Sequence, residues 1–314
     1  MDEMREIGGY MEMEPLCGAS VLHKEEIALN SGRNALVWLY MLRKDSGKPI
    51  RKLRIPYYLC GSVASICEQY EIPYRYYNID EHFEPIVADD LAEDEWLYIV
   101  NYYGQHSNKK ISNWKLQYGN IIVDNAQSYY QEPVSNVDTI YTCRKFFGVS
   151  DGAFLHTADD LKAELAPEQL YPQERAVSYD HMRFLLGRFE RTANEFYADF
   201  RENENRLSEE SVMGMSSLTE NLLHGIRYSE IAMKRESNWT YLEYPRNWQN
   251  KSSAANNAAR TVYVSAVDFR RCKASKVSAQ QEDLCADIMA GRTGTLRARV
   301  ARISACIGSA PAPD

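Results

Sequence analysis

Short apolar runs alternate with helical patterns along the middle of the chain, and this alternation constrains the fold most. From Leu53 onward the apolar runs are LRIPYY, YRYYNI, WLYIVNYY and NIIVDN, and between them lie the helical stretches GSVASICEQY and KKISNWKLQY. Strands that alternate with helices form βαβ units, in which the strands lie parallel and the helices cover them. The sequence therefore predicts an α/β fold with a mainly parallel sheet.

Further elements flank this core on both sides. The run SGRNALVWLYMLRK has good helix formers and an apolar stripe, with Ser31 available as the N-cap. VDTIYT and GAFLHT are typical of two more strands, joined by a turn that contains Gly148 and Gly152. Lys145 lies in that connection, between two predicted strands.

The chain divides into three regions by composition. Residues 1–170 are predicted to form a large α/β domain, and residues 171–250 a helical segment that begins a smaller C-terminal domain. Residues 251–314 are rich in Ala, Ser and Arg and are basic, whereas the rest of the chain is acidic. This tail has two interpretations, a genuine basic helical end or a foreign or frame-shifted extension, and composition does not separate them.

The composition also excludes several classes of protein. The net charge of −8 and the scattered basic residues argue against a nucleic-acid partner. No apolar run is long enough to cross a membrane, and the first thirty residues carry no signal-peptide pattern. The seven cysteines fall at irregular spacings without a zinc-ligand pattern, which favours free thiols and no metal. A cytoplasmic protein is expected.

Common motifs for dinucleotides, nucleoside triphosphates, zinc proteases and serine hydrolases are missing, and three other features carry the chemistry. The first is Ser31-Gly32-Arg33 at a helix start, where free amide groups and the helix dipole can hold a phosphate. Most such starts are simply capped helices. The second is Asp124, at the carboxyl end of an apolar strand, where ligands of open α/β sheets bind. A residue there more often only caps the following turn.

The third feature is Lys145, followed by two phenylalanines. Burial disfavours an ammonium ion, so a lysine among apolar neighbours can become a neutral amine, as a Schiff-base lysine requires. The alternative is a surface lysine in a strand connection whose stem packs while its charge stays in water. Taken alone, that alternative is favoured.

The order of these features, and above all VDNAQ followed by RKFFGVSDG, resembles the DegT/DnrJ/EryC1/StrS sugar aminotransferases, a family of fold-type-I pyridoxal-phosphate (PLP) enzymes. The resemblance runs from about Ile7 to about Asn238 and includes IGGYMEMEP, ALNSGRNAL, RIPYYLCGSV, WLYIVNYYGQ, MSSLTENLL and RESN. It implies a mixed, mainly parallel sheet flanked by helices, with a smaller C-terminal domain that is truncated or altered here.

The resemblance also implies roles for particular residues. Lys145 would bond to pyridoxal 5'-phosphate and shuttle a proton, and Asp124 would pair with the pyridine nitrogen and keep it protonated. Gln127 would lie against the ring. The phosphate would be held at Ser31, by the backbone amides of Gly32 and Arg33, and by the Thr142 hydroxyl.

The sequence departs from the family pattern at several positions. Cys60 stands where many members have an aromatic residue that stacks on the cofactor, and Tyr57, Tyr58 or Tyr102 could replace it. Ile140 stands where members have a phosphate-binding serine. Further candidate pocket residues, with roles left open, are Tyr103, His106 and Arg144.

The function implied is a PLP-dependent aminotransferase that moves an amino group from a donor, expected to be glutamate, to a nucleotide-linked keto sugar in surface-polysaccharide biosynthesis. A homodimer is expected from the same resemblance. Two alternatives stay open, a PLP-dependent lyase or dehydratase on a sugar nucleotide, and a catalytically inactive scaffold with the same fold. Lys145 argues against the branch of the family that eliminates, because members of that branch often carry histidine instead.

Overall fold

An eight-stranded sheet runs through the part of the chain that the computed structural model describes, residues 13–18 and 20–243. The strands are β1 (Ile27–Leu29), β2 (Lys52–Pro56), β3 (Tyr74–Ile79), β4 (Pro85–Ile86), β5 (Glu95–Val100), β6 (Ile121–Asp124), β7 (Asp138–Thr142) and β8 (Ala153–His156). Their order across the sheet is β1-β8-β7-β6-β5-β2-β3-β4.

The sheet is mixed and mainly parallel. The central strands β3, β2, β5, β6 and β7 pair in parallel, whereas β8 pairs antiparallel with both β7 and β1. Because β8 reverses the direction twice, β1 runs the same way as β7. The short strand β4 pairs antiparallel with β3 at the far edge. The predicted α/β class with a mainly parallel sheet flanked by helices is confirmed.

Nine α-helices accompany the sheet within the described residues: α1 (Gly32–Asp45), α2 (Gly61–Gln69), α3 (Asn108–Tyr118), α4 (Asp159–Glu164), α5 (Pro167–Leu170), α6 (Arg183–Glu190), α7 (Tyr197–Glu209), α8 (Ser217–His224) and α9 (Tyr228–Glu243). The predicted start of α1 is confirmed, since the Ser31 hydroxyl accepts a hydrogen bond from the Asn34 amide at 3.1 Å.

Apolar side chains fill both faces of the sheet. α1 and α2 pack against one face, with residues such as Leu36, Leu39 and Val63 in the same cluster as Ile55 of β2. On the other face Trp114 of α3 packs against the strands β5 and β6. Nearly every side chain of β5, β6 and β7 is buried, as expected for strands covered on both sides.

A third cluster, called here the aromatic cluster, packs against the connection between β7 and β8. Its members include Tyr129, Tyr130, Phe146, Phe147 and Tyr228. It joins that connection to α8 and α9, so the helical region after residue 171 packs directly against the sheet domain.

The structure leaves two of the sequence predictions untested. The tail 251–314 lies beyond the described residues, and the division into three domains stays a prediction. Within residues 13–18 and 20–243 there is no helix that could cross a membrane.

Candidate functional site

Six strands end at one border of the sheet, called here the carboxyl edge. The strands β1, β2, β3, β5, β6 and β7 run in the same direction, so their carboxyl ends meet there. Asp124 is the last residue of β6, and Lys145 follows the end of β7. The helix start at Ser31 follows β1. The structure therefore brings all three predicted features to the border where ligands of open α/β sheets bind.

The start of α1 lies against the end of β7. A Cβ atom placed on Gly32 would be 3.7 Å from the Cβ of Thr142 and 3.8 Å from the Cγ2 of Ile140. The first amides of a helix have no partner inside it, and among the described residues the Ser31 hydroxyl accepts the amide of Asn34 rather than that of Gly32 or Arg33. The amides of Gly32 and Arg33, with the hydroxyl of Thr142 beside them, form the donor set predicted for a phosphate.

Asp124 is held by two hydrogen bonds. The hydroxyl of Tyr98 on β5 donates to Oδ2 at 2.8 Å, and the amide of Ala126 donates to Oδ1 at 2.8 Å. Burial raises the pKa of Tyr98 well above its usual value, so this hydroxyl stays protonated and remains a donor. Each Asp124 oxygen keeps further acceptor capacity, because a carboxylate oxygen can accept more than one bond.

Gln127 shapes the neighbouring turn. Its Oε1 accepts a hydrogen bond from the Tyr103 amide at 3.0 Å. Tyr103 has a left-handed backbone with φ of 56°, a conformation uncommon for a bulky residue. The Gln127 side chain therefore ties the turn after β6 to the turn after β5, and it supports a strained residue at the carboxyl edge.

One expectation about Lys145 is wrong. The residue lies between β7 and β8 as predicted, but its side chain is exposed rather than surrounded by apolar groups. Only the two phenylalanines that follow it, Phe146 and Phe147, are buried in the aromatic cluster. The chain turns at this point, so that neighbouring side chains point to opposite sides. The described residues therefore leave this amine accessible to solvent.

The turn that carries Lys145 is anchored from below by Asp151, which is 1% exposed. Asp151 accepts hydrogen bonds from the amide of Ser216 at 2.8 Å, from its hydroxyl at 2.7 Å and from the Thr219 hydroxyl. Gly152 next to it has φ of 110°, and a Cβ there would meet the Thr219 side chain at 3.0 Å. Glycine is therefore required for α8 to approach so closely.

Two arginines flank the start of α1. Burial lowers the pKa of the Arg33 guanidinium, and the nearby Cys60 thiol acts in the opposite direction. Burial also lowers the pKa of Arg144 to about 10, with Arg33 as the next largest cause. Arg144 forms an ion pair with Glu204 of α7. Arg33 is thus close enough to influence both Cys60 and Arg144, and the charge of Arg144 is balanced by Glu204.

The tyrosines that could replace an aromatic at Cys60 have different positions. Tyr102 is buried, and its hydroxyl donates to the carbonyl of Tyr58. Tyr57 is 64% exposed and stacks on Tyr76 with 4.6 Å between ring centroids. Tyr58 is 44% exposed, and its hydroxyl lies 3.4 Å from that of Tyr103. Tyr58 and Tyr103 are therefore the accessible pair nearest to the turns described above.

His106 is structural. It is buried, its ring lies edge-on against Trp114, and its Nε2 is 3.1 Å from the carbonyl of Phe83. Burial lowers its pKa to about 4, so the ring is neutral at pH 7 and donates to that carbonyl. The proposed pocket role of His106 has no support in this geometry.

Sequence reasoning missed two residues of the site. In the sequence Tyr98 is simply one residue of an apolar strand. Its hydroxyl could have been a clue, because the neighbouring strand ends in an acidic residue. Asp151 was quoted within RKFFGVSDG without a role, because its partners Ser216 and Thr219 lie more than sixty residues further along the chain.

Comparisons with known proteins give resemblances of overall arrangement. No protein-family model and no curated protein sequence matches the chain. Among solved structures, a sugar aminotransferase from Micromonospora echinospora is similar with a TM-score of 0.47 at 12% identity, over 74% of this chain and 64% of that one. An aminotransferase from Psychrobacter cryohalolentis has a TM-score of 0.44 at 15% identity, over 71% and 57%.

A third structure, an L-threonine-O-3-phosphate decarboxylase from Porphyromonas gingivalis, has a TM-score of 0.37 at 10% identity, over 69% of this chain and 61% of that one. The chain spans less than two thirds of the length of each of these three proteins. TM-scores below 0.5 give no information about the site, and only the geometry at the carboxyl edge defines it.

Proposed function

We propose that the protein is a PLP-dependent aminotransferase that transfers an amino group from glutamate to a nucleotide-linked keto sugar. The observation that carries the proposal is the meeting of Asp124, Lys145 and the start of α1 at one edge of the sheet. Pyridoxal phosphate carries a phosphate, a ring nitrogen and an aldehyde, and these three groups match an amide cradle, a carboxyl group and an amine.

The donor set fits this cofactor. Gly32 is backed by Thr142 at ordinary contact distance, which places a hydroxyl beside the helix amides. Asp124 is oriented by Tyr98 and by the Ala126 amide, while its oxygens can accept a further N–H. Lys145 is exposed, so its amine is accessible to an aldehyde. Within residues 13–18 and 20–243 no group of His, Cys, Asp or Glu is arranged to hold a metal ion.

The residues at the carboxyl edge have separate tasks in this proposal. When bound, the cofactor supplies an aromatic ring that accepts the electrons of a substrate carbanion. Asp124 accepts the hydrogen bond of the ring nitrogen and keeps its proton in place. The amine of Lys145 would hold the aldehyde carbon, with loss of water, and the amine once freed would carry a proton to or from the substrate carbon. Gly32, Arg33 and Thr142 hold the phosphate.

The exposed Lys145 changes one part of the expected picture. Burial inside the described chain does not desolvate this amine, so water must be excluded by bound cofactor and substrate or by another subunit. A homodimer in which a second copy covers the carboxyl edge is therefore part of the proposal. The nucleotide-linked sugar and the polysaccharide pathway are proposed from the family resemblance, and the cytoplasmic location from the sequence patterns described above.

The test is covalent trapping of the cofactor. We expect that incubation with pyridoxal phosphate followed by borohydride labels the peptide with Lys145, as read by mass spectrometry. Lys145→Ala should lose the label, whereas Lys109→Ala, which removes an exposed lysine of α3, should keep it. Equal labelling of many lysines in the wild-type protein would contradict the proposal.

Addition of glutamate separates transfer from the alternatives. The near-ultraviolet and visible absorption of the loaded protein should change with glutamate, and Asp124→Asn should slow this change by about 100-fold. Absorption that glutamate leaves unchanged would favour a lyase or an inactive scaffold. Failure of the wild-type protein to bind the cofactor would leave only the scaffold.

A further inference from the structure

One face of α9 packs against the turn that carries Lys145. Tyr228, Ile231 and Arg235 are spaced by three and four residues, so they lie on the same side of the helix. The ring of Tyr228 meets that of Phe147 edge-on, with 5.3 Å between centroids. Ile231 also packs against the aromatic cluster. Arg235 follows Lys145 by ninety residues in the sequence. A helix distant in sequence therefore packs against the turn that carries Lys145.

Arg235 is an unusual member of that face, because it is a charged residue only 2% exposed. Its guanidinium carbon lies 4.3 Å from the centroid of the Phe146 ring. A cation over an aromatic face is attracted by the ring, and the attraction is stronger when water is excluded. Burial raises the pKa of Tyr130 to about 12, and the charge of Arg235 opposes that rise. Arg235 thus contacts the Phe146 ring and lies near enough to Tyr130 to influence its hydroxyl.

The ring under Arg235 belongs to the residue directly after Lys145. The amides of Phe146 and Phe147 both donate to the carbonyl of Cys143 at 2.9 Å, which closes a tight turn. Phe146 is buried and Lys145 is exposed, so the two side chains leave the turn on opposite sides. A contact that holds the Phe146 ring therefore also sets the direction in which Lys145 leaves the backbone.

We propose that Arg235 is a positioning residue for Lys145, which it orients through its contact with the Phe146 ring. The role of Lys145 as the cofactor lysine rests on the proposed function. The contact between Arg235 and Phe146 and its effect on the turn do not depend on it. Arg235 touches no reacting atom and acts only by holding the turn.

The first measurement needs no cofactor. Arg235→Met keeps an unbranched side chain and removes the charge, and we expect hydrogen exchange of the Phe146 and Phe147 amides to become about tenfold faster. Arg235→Lys, which keeps a cation, should recover most of the protection. Ile231→Val on the same face should leave exchange at these amides unchanged, and amides of β5 should serve as the internal reference. Unchanged exchange in Arg235→Met would overturn the inference.

The second measurement compares two forms of the cofactor. Pyridoxal phosphate can bond to a lysine amine, whereas pyridoxamine phosphate lacks the aldehyde and cannot. We expect Arg235→Met to weaken binding of pyridoxal phosphate about tenfold and to leave that of pyridoxamine phosphate within about twofold. Equal weakening of both would indicate a general structural role and would overturn the positioning role.

Two controls keep the test decisive. If Arg235→Met does not fold, as judged by circular dichroism, Phe146→Leu removes the ring instead and should show the same two effects. If the wild-type protein binds neither form of the cofactor, the proposed function fails, and hydrogen exchange alone then decides whether Arg235 holds the turn.

Discussion

The two opposite edges of the sheet differ in how their charged side chains are paired. At the amino edge, where β2, β5 and β7 begin, ionic groups are paired with each other. Arg43 of α1 forms two hydrogen bonds of 2.9 Å with Asp138, the first residue of β7, and both side chains are almost fully buried. Glu95, the first residue of β5, is paired with Lys52 and Arg54 of β2.

At the carboxyl edge Arg144 is paired with Glu204, but Asp124 is held by neutral partners and keeps capacity for a further hydrogen bond. Asp124 is bound by a hydroxyl and an amide rather than by a cation. Lys145 is exposed, and the α1 amides of Gly32 and Arg33 precede the first capped one. The comparison teaches that ion pairs are closed at the amino edge, whereas the carboxyl edge retains hydrogen-bond donors and acceptors, which the proposed function would use. The predictions on Arg43, Asp124 and Ser31 test that division, and the one on His106 concerns a buried side chain near the carboxyl edge.

The largest expected effect is at the amino edge. Arg43→Ala leaves Asp138 buried without its cation, and we expect a loss of about 3–5 kcal/mol in the free energy of unfolding, measured with urea. Lys48→Ala is the matched control, since Lys48 is exposed and pairs with Asp160 at 3.0 Å. That change should cost less than about 1 kcal/mol. Equal effects of the two variants would contradict the division.

The second prediction concerns acid sensitivity at the turn after β5. The pKa of His106 is lowered by burial from 6.5 to about 4, so the folded protein binds fewer protons than the unfolded one between these values. Stability should therefore fall as the pH drops through this window, by about 1.4 kcal/mol per pH unit and about 3 kcal/mol in total from this group.

The variant His106→Gln removes this titration and keeps a side-chain N–H donor. Urea unfolding at several pH values should give a shallower slope for the variant than for the wild-type protein between pH 6.5 and 4. Parallel curves would show that folding does not lower the pKa of His106. The comparison uses the difference between the two curves, because other groups titrate in both proteins.

A smaller effect is expected at Asp124. Tyr98→Phe removes one of its hydrogen bonds and should lower the free energy of unfolding by about 1.5 kcal/mol. Tyr77→Phe is the control, since that hydroxyl donates to the carbonyl of Tyr98 at 2.8 Å and does not touch Asp124. Both variants should be destabilised to a similar degree, but only Tyr98→Phe should weaken cofactor binding, by about tenfold as measured by titration. Equal binding by the two variants would argue against a role for Asp124.

The smallest effect compares two N-caps. Ser31 caps α1 and Ser107 caps α3, each through a hydrogen bond to the amide three residues later. Substitution of either by Ala should cost about 1 kcal/mol in the free energy of unfolding. Only Ser31→Ala should also weaken binding of inorganic phosphate, measured by calorimetry. A loss of phosphate binding in both variants would place the anion elsewhere.

Much of the sheet could be predicted because most of its strands are evident from the local sequence. The runs that become β2, β3, β5, β6, β7 and β8 are apolar over four to six residues, and punctuating turns separate them. β1 and β4 were missed. Both are very short, with three and two residues, and their pairing depends on distant strands rather than on their own composition.

The positions of the candidate site residues in the fold were predictable, and their surroundings were less so. Asp124 and Lys145 could be placed at the same edge because each follows a recognisable strand. The exposure of Lys145 could not be foreseen, since two phenylalanines next to a lysine do not reveal which side of a turn each residue takes. The contacts of Asp151 and Arg235 depend on helices far along the chain, which no local pattern encodes.

The anchoring of the Lys145 turn by Asp151 has a consequence for synthesis of the chain. A ribosome that has completed β7 and β8 has not yet made Ser216 and Thr219, the two residues whose hydrogen bonds Asp151 accepts. The nascent strands can pair before then, but the turn above them lacks its support. The hydrogen bonds that hold this turn can therefore form only after most of α8 has left the exit tunnel.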